Sequence, residues 1–370
     1  MLKRIDTYYY SLVGLLIFSS ISMMFVFFPI FLKSFQNYGL DEIGILLAAS
    51  YLGTFVTPIV FLKIKYNITK IQISFLLFGV SNFLIVYEGM TFYSLIFVFF
   101  IYGLLRNIIQ TYLEGQISKI FKEKYSIIRG IGSFGFLLTT LFIGMFYSNE
   151  LIVYFSYILG FMFLFIGAFI GIKYKKVSFE SEEYKLSIIT SQKMYWLFIF
   201  VYHLGLGIYF SFLSIYLKDN SYSIMDISNA WNISVMAEIF MFFIFIYFKN
   251  KMSLLGFIRL SIFLTIIRFG LLNYFPENYS IVLLAQILHM FTFVVFHVNN
   301  IELMSKMFPN NFKMGLKTYF SIGYGLSLGL GSLLGGYIYS NEIMLNTAYI
   351  ITLSLVVWFL FEIQHKKKKI

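Results

Sequence analysis

The chain contains no cysteine, only four prolines and only four histidines among 370 residues. The missing cysteines exclude disulfides, a thiol nucleophile and thiolate-ligated metals together. The histidines stand at 203, 289, 297 and 365, and no HExxH or comparable spacing ties them to a metal. With no nucleophile–base pair or metal cluster in view, enzyme chemistry has no foothold. Charge is scarce as well, 12% of residues against 59% hydrophobic. That leaves too little polar surface to keep a water-soluble fold dispersed.

Twelve apolar stretches fill the chain, at about 7–32, 41–62, 71–88, 91–115, 129–147, 150–172, 194–217, 226–248, 254–275, 280–304, 318–340 and 343–361. Each is about 18 to 26 residues long, enough at about 1.5 Å per residue to cross a hydrocarbon core of about 30 Å as a helix. Membrane strands are about half that length and alternate in polarity. The predicted fold class is therefore an all-α membrane protein with 12 transmembrane helices in two pseudo-symmetric six-helix bundles.

Of the 28 Lys and Arg, 23 fall in segments sharing one side with the N-terminus, and only Lys33 and Lys218 fall opposite. The remaining three, Arg106, Arg259 and Arg268, lie inside apolar stretches. This bias predicts both termini in the cytoplasm, in a multi-pass protein of the inner or plasma membrane. The net charge of +11 is scattered over short loops and ends, which suits anionic headgroups of the lipid bilayer and no nucleic acid. Lys3 and Arg4 precede an apolar run of about 25 residues with no Ala-x-Ala-like site after it, so a first span is expected there, not a cleaved leader.

The chain repeats itself at half its length. Pro29-Ile30-Phe31-Leu32-Lys33 matches Ser214-Ile215-Tyr216-Leu217-Lys218 at an offset of 185, and Asp41 and Asp226 keep that offset. Ser118-Lys119-Ile120-Phe121 matches Ser305-Lys306-Met307-Phe308, and Ser133-Phe134-Gly135-Phe136 matches Ser321-Ile322-Gly323-Tyr324. Tyr-Ser-Asn-Glu recurs at 147–150 and 339–342. Matches in chain order argue for two homologous units: an N-terminal bundle over 1–172, a linker over 173–193 and a C-terminal bundle over 194–370. Parallel repeats of this kind predict a solute site between the halves near the bilayer midplane.

Ionisable groups inside apolar spans are costly unless they face a bundle interior, so function is sought there first. Glu238 shares a helical face with Trp231, Ser234 and Phe242, and Arg268 a stripe with Ser261, Thr265 and Leu272. His289 shares a side with Thr292, Phe293, Phe296 and Asn300, with His297 at its margin. Counted from the outer end at about 1.5 Å per residue, Arg268, His289 and Glu238 reach about 10, 13 and 18 Å, depths that allow them to meet at one level. A carboxylate beside an imidazole suits proton loading and release. Arg268 is read either as their counter-ion or as a bidentate anchor for solute. The plain alternative is an ion pair that pins two helices. His203 reads equally as a core histidine or a site residue. Arg106, Gln110 and Glu114 recur at i, i+4 and i+8, while Glu114 and Arg129 both lie near the cytoplasmic boundary, where snorkelling is an equal reading. Glu302, with Lys306 one turn on, reads as an interfacial pair.

The run Gln286-Ile287-Leu288-His289-Met290-Phe291-Thr292-Phe293-Val294-Val295-Phe296-His297 resembles the Gln-x-Leu-His-x-x-Thr-Phe-x-x-x-His pattern of the 3-phenylpropionate permease branch of the major facilitator superfamily. Phe28-Pro29, Ile43-Gly44-Ile45-Leu46, Arg129-Gly130-Ile131-Gly132-Ser133, Ala237-Glu238 and Arg268-Phe269-Gly270 agree with that branch too. The neighbouring lactose permease group is similar in outline. Its sugar-binding Glu and Arg resemble Glu114 and Arg129, and its coupling residues resemble Glu238, Arg268 and His289. Where that group has its proton-carrying Glu, this chain has Thr292.

The resemblance implies a secondary active transporter working by alternating access, a monomer with no cofactor, driven by a proton gradient. Its partners would be protons and a small-molecule solute, polar or anionic, of the aromatic acid, sugar or nucleoside class. The expected substrate and coupling residues are Glu238, Arg268, His289, Thr292, His297, His203, Glu114 and Arg129, with aromatic lining from Phe293, Phe296, Tyr209 and Trp231. An efflux antiporter, or a transport-silent sensor on the same fold, are the alternatives.

Overall fold

The computed structural model describes the backbone of residues 2–63, 68–120, 125–173 and 187–367, with side chains over 7–58, 69–114, 130–169 and 188–364. It is helical throughout the described residues, with no strand. We number its long helices in chain order. The first six are α1 (2–34), α2 (Leu40–Lys63), α3 (Ile68–Ile85), α4 (Phe92–Ile120), α5 (Tyr125–Met145) and α6 (Asn149–Lys173). The rest are α7 (Lys193–Asp219), α8 (Ile224–Phe248), α9 (Leu254–Tyr274), α10 (Tyr279–Met307), α11 (312–337) and α12 (Ile343–Lys367). Nine of the described helices are long and apolar enough to cross a membrane; Thr69–Ile85 and Gly130–Met145 are shorter apolar helices. Most of the expected linker, with its acidic Glu180, Glu182 and Glu183, lies outside the described residues.

Three helices are not uniform. In α1 a π-helical stretch, Met23–Phe27, precedes the final segment Phe28–Ser34. Pro29 explains it. Proline lacks the N–H for a bond to the carbonyl four residues back, and its ring crowds that carbonyl, so the turn before it widens. The repeat-related position in α7 is Ser214, and α7 runs unbroken. In α10 a turn at Leu288 and a π-helical stretch Phe291–Val295 separate Tyr279–Ile287 from Phe296–Met307, and in α11 the stretch is Phe320–Ser327.

Contacts divide the chain into two compact units, Met1–Glu183 with Ser223–Asn232, and Tyr184–Tyr222 with Ile233–Ile370. Within the first, α1 packs along α5, α2 along α4 and α3 along α6. Within the second, α7 packs along α11 and α12, and α9 along α10 and α12. The pairs α1–α5 and α3–α6 thus recur as α7–α11 and α9–α12. Close approach at α1–α5 and α7–α11 depends on glycine: a Cβ on Gly135 would overlap the Leu15 carbonyl, and one on Gly331 the Leu204 carbonyl. Without a side chain the backbones can approach this closely.

The same repetition reaches the loops. The only non-glycine residues with positive φ among those described are Asn37 (58°) and Ser221 (67°), each two or three residues beyond the end of its helix. The following tyrosine donates its N–H back into the helix in both: Tyr38 to the Leu32 carbonyl at 3.0 Å, Tyr222 to the Leu217 carbonyl at 3.1 Å. The next residue then donates to an acid in the opening turn of the next helix, Gly39 N–H to Glu42 Oε2 at 2.8 Å and Ser223 N–H to Asp226 Oδ2 at 3.1 Å. This corrects the alignment from sequence. The capping partner of Asp226 in the first half is Glu42, not Asp41, because the cap is defined by its reach to the preceding N–H.

Candidate functional site

The second unit gathers its polar side chains around Arg268 of α9, which is 0% exposed. Its Nε–H donates to the Ala285 carbonyl at 2.9 Å, and Nη2–H donates to Gln286 Oε1 at 2.8 Å and to the Tyr209 hydroxyl. The guanidinium carbon also sits 4.3 Å from the centroid of the Tyr209 ring. The remaining group, Nη1, lies 2.9 Å from Nδ1 of His289. On the far side of that imidazole, Nε2 lies 2.6 Å from Glu238 Oε1.

This order of contacts determines the histidine tautomer. An arginine N–H only donates, so Nδ1 of His289 is the acceptor and its ring proton resides on Nε2, where it donates to Glu238. Arg268, His289 and Glu238 therefore form one directed chain across α9, α10 and α8. Its inner end is fully buried, and the Glu238 side chain is 20% exposed.

Gln286 closes the arrangement. It stands one turn before His289 in α10 and is fully buried; its Oε1 accepts from Arg268, from the Tyr209 hydroxyl at 2.8 Å and from Ser234 Oγ at 2.6 Å. Gln286 is not among the site residues expected from sequence. Its signals there are its place three residues before His289, on the same helical face, and its position at the head of the Gln-x-Leu-His pattern.

The other expected residues separate. Thr292 lies in a buried polar knot: Thr265 Oγ1 donates to its hydroxyl at 3.2 Å, and the Tyr202 hydroxyl donates to its carbonyl at 3.0 Å. His297 extends the cluster by stacking, since Phe293 lies between His289 (centroids 6.0 Å apart) and His297 (5.5 Å). Straight α-helical geometry turns positions i and i+8 about 80° apart; the wider π turn at Phe291–Val295 brings the three rings into one ladder. His297 Nδ1 also meets the hydroxyls of Tyr319 at 3.3 Å and Tyr324 at 3.4 Å. His203 is buried, with Nδ1 2.8 Å from the Ile199 carbonyl, amid the rings of Phe296, Tyr319 and Tyr324. Phe296 itself stacks on Tyr202 at 3.9 Å.

Trp231 belongs to the first unit, where its ring stacks on Phe25 at 6.2 Å. Glu114 is half-buried in the same unit, and the side chain of Arg129 lies outside the described residues. The Glu302–Lys306 pair forms at 2.7 Å on an exposed face. Arg259, read from sequence as lying inside an apolar stretch, pairs at 3.2 Å with Glu362 of α12, a partner the sequence did not suggest.

Repeated bundles of long apolar helices, with a buried charged cluster inside one of them, define a multi-pass membrane protein of the solute-transporter class. The chain belongs to the MFS_1 like family, whose model matches residues 8–351, and it is accordingly a major facilitator transporter of small solutes and not an enzyme. No curated protein matches it. Among known structures, a mutant of the nucleoside transporter NupG is similar with a TM-score of 0.82 at 14% identity, covering 96% of this chain and 99% of that one. An auto-inhibited POT family peptide transporter gives 0.73 at 11%, covering 96% of each. A bacterial homologue of the human lysosomal transporter Spinster gives 0.70 at 10%, covering 97% of each. At these identities the likeness is one of fold.

Proposed function

We propose that this transporter imports a small polar or anionic organic solute together with a proton, and that Glu238 carries the proton. The observation that carries the reading is the directed chain from Arg268 through His289 to Glu238. Arg268 holds the imidazole in one tautomer, so His289 presents a donor to Glu238 and is not free to take a second proton at Nδ1. Glu238 is the partly exposed member, the one placed to exchange a proton. Protonating it removes the negative end of the chain and leaves Arg268 without a counter-charge. That is how proton binding would be felt elsewhere in the bundle.

Arg268 serves as counter-ion in this scheme. Of the two roles open to it from sequence, anchoring a solute by both prongs is disfavoured by the number of its donors already engaged by protein groups. Thr292 stands where a lactose permease-like chain has its proton-carrying Glu, which leaves the task to Glu238. Similarity of the Gln286–His297 run to the 3-phenylpropionate permease branch makes aromatic acids the first solutes to test; nucleosides and oligopeptides, carried by structurally similar transporters, come next. The proposed protein works as a monomer by alternating access, without a cofactor, in the inner or plasma membrane with both termini in the cytoplasm.

The test is uptake into proteoliposomes under an imposed pH gradient. Wild type should accumulate solute and alkalinise the acidic exterior. Glu238→Gln should abolish pH-driven accumulation while melting near the wild-type temperature; undiminished accumulation in that variant contradicts the assignment. Solute-dependent acidification of the exterior would instead mark an antiporter.

A further inference from the structure

Arg106 lies at the midpoint of α4, fourteen residues from either end of Phe92–Ile120 and so about 21 Å from each at about 1.5 Å per residue. It is buried within the first unit, 7% exposed. Its contact with protein is slight. Nη2–H donates to Thr54 Oγ1 at a long 3.3 Å, and the Thr54 hydroxyl turns its own proton to the Ser50 carbonyl at 3.3 Å. The Nε–H has no partner. The titratable groups that act on Arg106 are the phenols of Tyr51 and Tyr102, and no described carboxylate lies within ion-pair distance.

An arginine keeps its charge in a protein interior. A buried cation without an anion is strongly unfavourable, the more so at the middle of a membrane helix. The second unit meets the same difficulty completely, since Arg268 has Ala285, Gln286, Tyr209 and His289 around it and Glu238 beyond. In the first unit it is left unmet, and the unmet part has a shape. Nε–H and Nη2–H lie on one edge of the guanidinium, the edge that grips a carboxylate with two parallel bonds. One of these donors is vacant and the other is held weakly.

The geometry points to Arg106 as the anchor of an anion-binding site in the first unit, one that takes the carboxylate of a singly charged organic acid. A single negative charge fits because Arg106 has no second cation beside it among the described residues. Ser50, one turn from Thr54 on α2 and likewise buried, also has an unpartnered hydroxyl. This rests on the transporter reading above and narrows its solute from polar or anionic to anionic. Arg106 differs from Arg268 in kind: it awaits an acceptor from outside the chain.

The test uses the full chain purified in detergent, with thermal melts in benzoate, 3-phenylpropionate and hexanoate and in the uncharged amide of each. At least one acid should raise the wild-type Tm while its amide does not. In Arg106→Gln that shift should require at least ten times more acid, and the ligand-free variant should melt at or above the wild-type temperature, because an unpaired charge has been removed. Arg106→Lys, which keeps the charge without the fork, should fall between. The site is overturned if no acid shifts the wild type, if acid and amide act alike, or if Arg106→Gln responds as wild type does. A clear drop in Tm for ligand-free Arg106→Gln overturns it too, by marking the arginine as structural. Proton-driven uptake of an uncharged solute that needs Glu238 but not Arg106 would remove the anion site and leave proton coupling standing.

Discussion

One carbonyl oxygen, Oε1 of Gln286, is shared by donors from three other helices: Arg268 of α9, Tyr209 of α7 and Ser234 of α8. Gln286→Leu keeps the bulk and removes the acceptor that three buried donors share. At about 1 to 3 kcal/mol for each buried group left unsatisfied, and with some relaxation, we expect a loss of about 2 to 4 kcal/mol in unfolding stability. Solute uptake should fall with it. A chemical-denaturant melt and a parallel uptake assay check both, and a variant as stable as wild type would show that the oxygen is not shared. Arg268→Lys asks a different question. A single ammonium cannot serve Ala285, Gln286, Tyr209 and His289 together, so His289 loses the donor that holds its tautomer. Proton-driven uptake should drop about tenfold or more, in proportion to a loss of about 1.4 kcal/mol or more, while the α-helical circular dichroism stays unchanged.

At the scale of helices, the spans were legible because each is a long apolar run bounded by polar residues. The expected 254–275 is Leu254–Tyr274, and the expected 226–248 is Ile224–Phe248. Their interiors were less legible. Nothing in the composition of 288–296 announces the π turn in α10. Pro29 was visible, and its widened turn follows from proline's missing donor. The helix glycines differ in their surroundings: Gly135 and Gly331 lie against neighbouring carbonyls, whereas Gly130 has nothing within 4 Å of an added Cβ. Gly135→Val and Gly331→Val should each therefore destabilise by about 2 to 3 kcal/mol through overpacking, and Gly130→Val should not, as judged by melting temperatures of the three purified variants.

For the molecule as a whole, two units share one plan and differ in charge. The α1–α2 and α7–α8 connections repeat an αL residue, a tyrosine and a cap of the next helix, yet only the second unit holds a carboxylate–imidazole–guanidinium chain. Equal folds with unequal charges fit the proposed division, in which the second unit would carry the proton and the first the solute. The lysine distribution sets the expected orientation, and a chain without cysteine makes it directly measurable. A single cysteine at Asn278 should react with a membrane-impermeant maleimide in intact cells, and one at Lys251 only after permeabilisation. The opposite pattern would reverse the assigned topology.

Composition and periodicity alone determined that this is a helical membrane protein, the approximate place of each helix, and that its halves are related, because burial in lipid demands long apolar runs and duplication leaves matching residues. They also put Glu238, Arg268 and His289 at depths from which the three can meet. Tertiary structure alone decided the order in which those three touch, the hub at Gln286 and the unmatched guanidinium of Arg106. Such pairings depend on how each helix is rotated, where a π turn shifts its register and how closely glycines let it approach its neighbour, and a one-dimensional pattern does not specify these.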